Sequence, residues 1–300
     1  MNLSLNKSCP IIYGEVLYDV FPDGMKVLGG APFNVAWHCH AFGLNPILLS
    51  RVGNDELGIR IRNAMKKWGM DTRGLQLDSG HSTGVVNVRF NHGEPSYDIV
   101  KDSAWEFINY DSIIDSVPDI LNNKFIYHGS LVTRNPVAAN TLTLLKKSIP
   151  SVFVDINLRS PWWGLGNIHE MLNQARWIKL NVDELALIIP DNKDIQSASE
   201  YLLSEKSADL VILTKGSDGA NALTLNKLYT IKPGELVNVV DTVGAGDAFS
   251  SIIITGLHYD WPLQTILDRA QVFASSVVAQ QGATTEDKNF YEPFITEWGL

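Results

Sequence analysis

The nine residues Asp241-Thr242-Val243-Gly244-Ala245-Gly246-Asp247-Ala248-Phe249 constrain the fold of this chain more than any other stretch. An apolar run at 236–240 leads in, two glycines flank an alanine, and an apolar segment from Ala248 to Leu257 follows. That order predicts a strand or extended segment, a tight turn and then a buried helix. Gly244 and Gly246 accept positive φ and carry no Cβ to block a ligand. The first N–H groups of the helix then face open space and favour an anion there. Asp247 stands in the same turn. A carboxylate beside a bound phosphate is repelled by it, so its placement requires a reason. Accepting the proton of a hydroxyl that attacks the phosphate is one, which makes Asp247 the candidate base. An aspartate capping a helix is the alternative.

The remaining segments alternate in type. Residues 10–14 predict a first strand, and 15–28 are mixed, with Asp19 and the turn Pro22-Asp23-Gly24. Gly29-Gly30-Ala31-Pro32-Phe33-Asn34 opens an apolar helix to about Phe42, with Pro32 suited to its first turn and Asn34 able to bond hydroxyls. Pro46–Val52 predicts a strand, and Gly53-Asn54-Asp55 starts a helix reaching Trp68. Between 83 and 100 the residues alternate around a turn at 91–94, the pattern of a hairpin with one exposed face. Val86, Val88 and Phe90 share one side of its first strand and leave that exposed face apolar. Strands at 125–129, 152–155, 177–180 and 210–214 then alternate with helices at 135–148, 167–175 and 194–204. That rhythm argues a parallel sheet with crossover helices and ligands beyond the carboxyl ends of its strands.

Polar residues follow those strands. Asp155-Ile156-Asn157-Leu158-Arg159 ends one and Lys179-Leu180-Asn181-Val182-Asp183-Glu184 the next. Asn181 and Glu184, three apart at a helix start, serve either as phosphate and Mg²⁺ contacts, the metal through water, or as a capping box. Thr214-Lys215-Gly216-Ser217-Asp218-Gly219 is a glycine-bearing loop able to wrap a nucleotide.

Taken in order, these elements resemble the ribokinase-like (PfkB-type) sugar kinases, whose C-terminal signature Asp-Thr-x-Gly-Ala-Gly-Asp is matched in full by 241–247. The Gly-Gly-x-x-x-Asn, Asp-x-Asn-x-Arg, Asn-x-x-Glu and Thr-x-Gly-x-x-Gly elements of that family also recur, over about residues 10–285. The resemblance implies one domain over 1–300 with a three-layer α/β fold. A mostly parallel sheet would lie between helices, with a small β lid built from about 15–28 and 83–105. It implies that Asp19, Gly29, Gly30 and Asn34 hold a sugar and that Asp247 is the base. Gly244, Ala245, Gly246 and Arg159 would stabilise the transferring phosphoryl group. Asn181, Glu184, Thr214, Lys215, Gly216, Gly219 and Gly246 would bind ATP and Mg²⁺, with K⁺ near Asp241. Gly14, Glu15 and Asp19, the Gly-Gly-Ala-Pro run and Ser103-Ala104-Trp105 are most similar to fructokinases. The expected reaction is therefore fructose to fructose 6-phosphate. Kinases for ribose, 2-keto-3-deoxygluconate or a nucleoside are the alternatives in the class, and a non-catalytic sugar sensor the alternative outside it. A homodimer through the apolar lid face is also expected.

Other classes are disfavoured. A net charge of −9 argues against nucleic acid as a partner. No Gly-x-x-x-x-Gly-Lys-Ser/Thr occurs, and Gly244-x-Gly246 lacks the third glycine of a dinucleotide fingerprint. His38-Cys39-His40 on a helix diverge by about 100° per residue and do not converge on a metal. With two cysteines, no signal-like N-terminus and no apolar run of about 18 residues, the expectation is a cytoplasmic protein without membrane or disulfide framework.

Overall fold

Strand alternation decides the layering. In β1 (Ile11–Tyr13), Ile11 and Tyr13 join one apolar cluster and Ile12 the other, because successive side chains leave a strand on opposite faces. The computed structural model describes residues 9–91, 94–189, 195–232 and 238–300. Besides β1, its strands are β2 (Leu17–Val20), β3 (Lys26–Gly29), β4 (Ile47–Gly53), β5 (Leu75–Asp78), β6 (Gly84–Asn91), β7 (Glu94–Ile99) and β8 (Phe125–Gly129). They continue with β9 (Ser151–Asp155), β10 (Trp177–Asn181), β11 (Leu210–Thr214), β12 (Ala220–Thr224) and β13 (Lys227–Ile231). Nine of them form one sheet in the order β13-β12-β11-β10-β9-β8-β1-β4-β5. Pairing is parallel from β5 to β11 and antiparallel for β12 and β13, so the sheet is mixed at one edge.

Helices cover both faces. On one side lie α1 (Ala31–Ala41), α2 (Glu56–Trp68), α8 (Ala245–His258), α9 (Leu263–Val277) and α10 (Lys288–Trp298). On the other lie α3 (Tyr110–Ser116), α4 (Pro136–Lys146), α5 (Leu165–Leu172), α6 (Val182–Ile188) and α7 (Ile195–Glu205). α8 is buried from Asp247 to Leu257, as an all-round apolar helix must be. It begins at Ala245, three residues before the apolar run, and so draws Gly246 and Asp247 into its first turn. Asp55 caps α2 by accepting from Gly58 N at 2.8 Å.

A second sheet, β3-β2-β6-β7, joins the expected lid segments. β2 pairs with β6 in parallel, bringing Asp19 opposite Val86, and Val86 lies opposite Ile99 of β7. The expectation of an apolar face left bare on this hairpin is corrected. Val86 and Val88 are buried within the chain, because the face they share with Asp19 is turned onto the body; Phe90 and Tyr97 remain exposed. The expected strand at 236–240 is also corrected. Residues 238–240 form no strand, and Val239 and Val240 stay exposed because no neighbouring strand pairs with them; 236 and 237 lie outside the described residues. Positions 92 and 93 of the expected hairpin turn and 194 of the α7 prediction also lie outside them.

Candidate active site

The carboxyl ends of the central strands meet the N-terminus of α8. Gly244 caps that helix at φ 82°, and a Cβ there would stand 2.3 Å from Ala283 Cβ, so both conformation and space demand glycine. Asp241 braces the approach. One carboxylate oxygen accepts from Val243 N at 3.0 Å and the other from Gly282 N at 3.1 Å, tying the turn to the segment behind it. α1 braces the same segment from its other side: Trp37 Nε1 donates to the Thr285 carbonyl and His38 Nε2 to that of Ala283, each at 2.9 Å. Burial pushes the His38 ring down to about 4, so it is neutral there. His38, Cys39 and His40 reach Ala283, Ser251 and Trp68 respectively, three separate partners.

Asn34 lies one turn before His38 and reaches the candidate base. Its Nδ2 donates to Asp247 Oδ2 at 2.8 Å, while its Oδ1 is buried with no partner among the described residues. A buried, orphaned acceptor beside a carboxylate fits a ligand hydroxyl. Burial pushes the Asp247 carboxyl up to about 6, Asp155 adds to the rise, and Asn34, Lys179 and Arg159 oppose it. Asp19, on the lid, is raised to about 6 by burial, against the pull of Arg159. A Cβ on Gly29 would meet Asp19 Oδ2 at 3.4 Å, and one on Gly30 (φ 109°) would meet the Glu15 carbonyl at 2.7 Å. The two glycines thus let the lid's first strands pass close to α1. The structure places these residues as successive neighbours: Asp19 beside Gly29, the Gly30 carbonyl accepting from Asn34 N at 2.9 Å, and Asn34 on Asp247.

The sequence singles out Glu15 as fructokinase-like but gives it no role in the site. Its side chain is buried, Oε2 has no partner among the described residues, and burial raises it to about 7, with Asp247 adding to the rise. Its signal was an acidic residue directly after an apolar strand.

At the start of α6, Asn181 and Glu184 form a full capping box. The Asn181 side chain accepts from Glu184 N at 2.8 Å, and Glu184 Oε2 accepts from Asn181 N at 2.9 Å. Glu184 Oε1 also accepts from Leu158 N at 2.7 Å, which fixes the loop that carries Arg159. Capping and metal binding are compatible, since each carboxylate oxygen keeps a further lone pair. Thr214, at the end of β11, sits opposite Asn181, and Gly216 (φ 58°) and Gly219 (φ 84°) bound the turn into β12. Lys215 departs from expectation. Its side chain lines a groove with Gln196, Glu200, Asn221 and Lys227 on the α7 face, opposite α8, because strand alternation sends it there from Thr214. Arg159 is exposed, within charge range of Asp19, Glu15 and Asp247.

A cation that sequence reasoning passed over lies deeper. Lys179 Nζ donates to both oxygens of Asp155, at 2.9 and 2.8 Å, and both residues are buried. The available signal was a charge inside each of two apolar strands, Val152–Asp155 and Trp177–Leu180.

A family model described as pfkB family carbohydrate kinase matches residues 14–289. An ATP-dependent 6-phosphofructokinase of Thermoanaerobacterium thermosaccharolyticum is 31% identical over 81% of this chain and 76% of its own length. A fructokinase of Klebsiella pneumoniae is 29% identical over 82% of this chain and 83% of its own. The crystal structure of a Vibrio cholerae fructokinase in its fructose-, ADP- and calcium-bound form has a TM-score of 0.80 at 23% identity, covering 96% of this chain and 99% of that one.

Proposed function

Because the chain belongs to the pfkB family of carbohydrate kinases, we propose that its acceptor is fructose, phosphorylated by ATP at the primary 6-hydroxyl. The observation that carries the chemistry is the raised, Asn34-bound carboxylate of Asp247 in the first turn of α8. Asp247 removes the hydroxyl proton as the oxygen bonds to the γ-phosphorus, and the bond to the departing ADP breaks with its electron pair. The N–H groups of Gly244, Ala245 and Gly246 take the developing negative charge, helped by Arg159. Asp19 and Asn34 orient the sugar through its hydroxyls, and Gly29 and Gly30 make room for it.

Glu184, with Asn181, would hold Mg²⁺ through water, and Asp241, whose oxygens accept from Val243 N and Gly282 N, would stand beside a K⁺ held by backbone carbonyls. When bound, Mg²⁺ would supply positive charge to the ATP phosphates. The Thr214–Gly219 turn accommodates the nucleotide through its backbone.

Free fructose is favoured over fructose 6-phosphate, which the 6-phosphofructokinase relative suggests. A phosphate on the acceptor needs a cation of its own beyond those at the phosphoryl site, and Arg134 is already held by Glu106 at 2.7 Å. A sugar sensor has no use for the base. The test is ATP turnover with fructose, fructose 6-phosphate, ribose, adenosine and 2-keto-3-deoxygluconate. Fructose is expected to have the highest kcat/KM; a tenfold higher value for another acceptor overturns the assignment.

No helix of the described residues is long and apolar enough to cross a membrane, and the free thiols Cys9 and Cys39 suit the reducing cytoplasm in which we place the kinase. The exposed Phe90 and Tyr97 on the lid suit a dimer contact between lids. Sedimentation as a monomer at micromolar concentration rejects that dimer.

A further inference from the structure

We infer that Lys179 is a further catalytic residue, a buried ammonium that meets the transferring phosphoryl group beside the glycine turn, and that Asp155 is the positioning residue that holds it there. The inference rests on the reading of 244–247 as the phosphoryl site with Asp247 as base.

Register places the pair. Lys179 of β10 and Asp155 of β9 are direct partners across parallel strands, so their side chains leave the sheet on the same face, toward α8. Earlier residues on that face, Phe153 and Trp177, belong to the apolar core. A lysine and an aspartate replace such residues only where the strands reach the glycine turn. Burying an ion pair in a core is no general route to stability, since apolar residues of similar volume do as well or better. The location of this pair therefore calls for another account.

The surroundings supply it. Asp155 Oδ2 accepts from Tyr127 at 3.1 Å and from Ser250 at 2.7 Å in addition to Lys179. Donors on three elements therefore fix the carboxylate in place. Ser250 lies one helical turn after Gly246, and its hydroxyl is also 3.0 Å from the Gly246 carbonyl, which links the pair to the first turn of α8. Lys179 Nζ stands 3.4 Å from the position a Gly246 Cβ would occupy. A side chain at 246 would therefore start in contact with the ammonium. Asp155 takes two of the three ammonium N–H bonds, which leaves one for the Gly246 side.

Charge balance points the same way. A phosphoryl group arriving at the turn meets Asp247 and, behind it, Asp155, both repulsive when ionised. Lys179 is the buried cation placed to offset them, and at low dielectric its attraction for a developing anion exceeds that of the exposed Arg159.

The experiment uses the full chain and four variants: K179M, D155N, K179M/D155N and D247N. Each is measured for thermal unfolding, sugar binding, kcat and KM with ATP and Mg²⁺, and affinity for ADP–aluminium fluoride with sugar present. K179M/D155N removes both charges together and is expected to unfold near the wild-type temperature and bind sugar within about threefold. Its kcat is expected to fall about 10²–10³-fold, the loss typical of one donor to a developing oxyanion, and its hold on ADP–aluminium fluoride to weaken as much. D155N alone is expected to lower kcat and ADP–aluminium fluoride affinity at least fivefold at unchanged sugar KM. A double variant that folds and keeps kcat within fivefold of wild type makes the pair structural and overturns the inference. D155N with wild-type affinity for ADP–aluminium fluoride overturns it even if the double variant does not fold. D247N separates the two readings. An active D247N rejects the base, whereas an inactive D247N beside an active double variant rejects Lys179 alone.

Discussion

Asn34 and Asp247, 213 residues apart, are joined by a 2.8 Å hydrogen bond in which the amide donates to the carboxylate. The bond leaves the second Asp247 oxygen for a substrate proton and turns the Asn34 carbonyl toward an acceptor role. One contact thus joins the two halves of the proposed site, because α1 carries the first residue and α8 the second.

Asp247→Asn is expected to keep the shape of this turn and the donor from Asn34 while removing the base. Turnover should fall about 10²–10⁴-fold, with sugar and ATP binding kept within a few-fold. Steady-state kinetics and calorimetric titration of each ligand check this. Turnover within about threefold of wild type removes Asp247 from its role.

The pH dependence follows from the same group. Asp247 acts only when ionised, and its carboxyl is pushed up from 3.8 to about 6. As pH falls through about 6, kcat/KM should therefore decline, approaching about tenfold per unit on the acid side. A plateau extending below pH 5 would show that another group takes the proton.

Asp19→Ala should act on the sugar alone. A hydrogen bond to a charged group contributes roughly 1.5–3 kcal/mol, about 10- to 150-fold in sugar KM. The ATP KM should stay within about twofold, since Asp19 lies on the lid and approaches Gly29 rather than the glycine turn. Equal losses for both substrates would mean a damaged fold instead.

Glu15→Gln should stabilise the protein at alkaline pH. Burial raises this carboxyl from 4.5 to about 7, so the folded state binds the proton more tightly than the unfolded one. Its contribution to stability is then most favourable below about pH 4.5 and declines as pH rises to about 7, above which the full cost of ionising it in place remains. Glutamine removes that cost, a gain of about 2–4 kcal/mol at pH 8 that shrinks toward zero near pH 4.5. Thermal unfolding at the two pH values checks it, and an equal shift at both would trace the change to packing.

Much of the fold was legible because it rests on local pattern. Apolar strands at regular intervals, helices between them and the glycine turn before α8 each follow from periodicity and backbone preference over a few residues. The edge strands β12 and β13 were missed. Leu225 and Leu228 are exposed on that hairpin, so its pattern lacks the clean alternation of a half-buried strand. The exposure of the lid was misjudged for a related reason. Val86 and Val88 alternate with polar residues whether their face meets solvent or the body, and only the docking of the second sheet distinguishes the two cases.

The sequence by itself determined the chemistry of the turn at 241–247 and the identities of Asp19, Asn34 and Glu184 as polar groups at element ends, since these follow from side-chain type and short spacing. Tertiary structure alone decided which of them meet. The Asn34–Asp247 bond, the orphaned Glu15, the Lys215 side chain on the far face and the Lys179–Asp155 pair beside Gly246 depend on strand register and on the packing of α8 against the sheet. Those are contacts between residues tens to hundreds of positions apart. Local propensity carries no information about such distances; the burial of two apolar faces, acting over the whole chain, sets them.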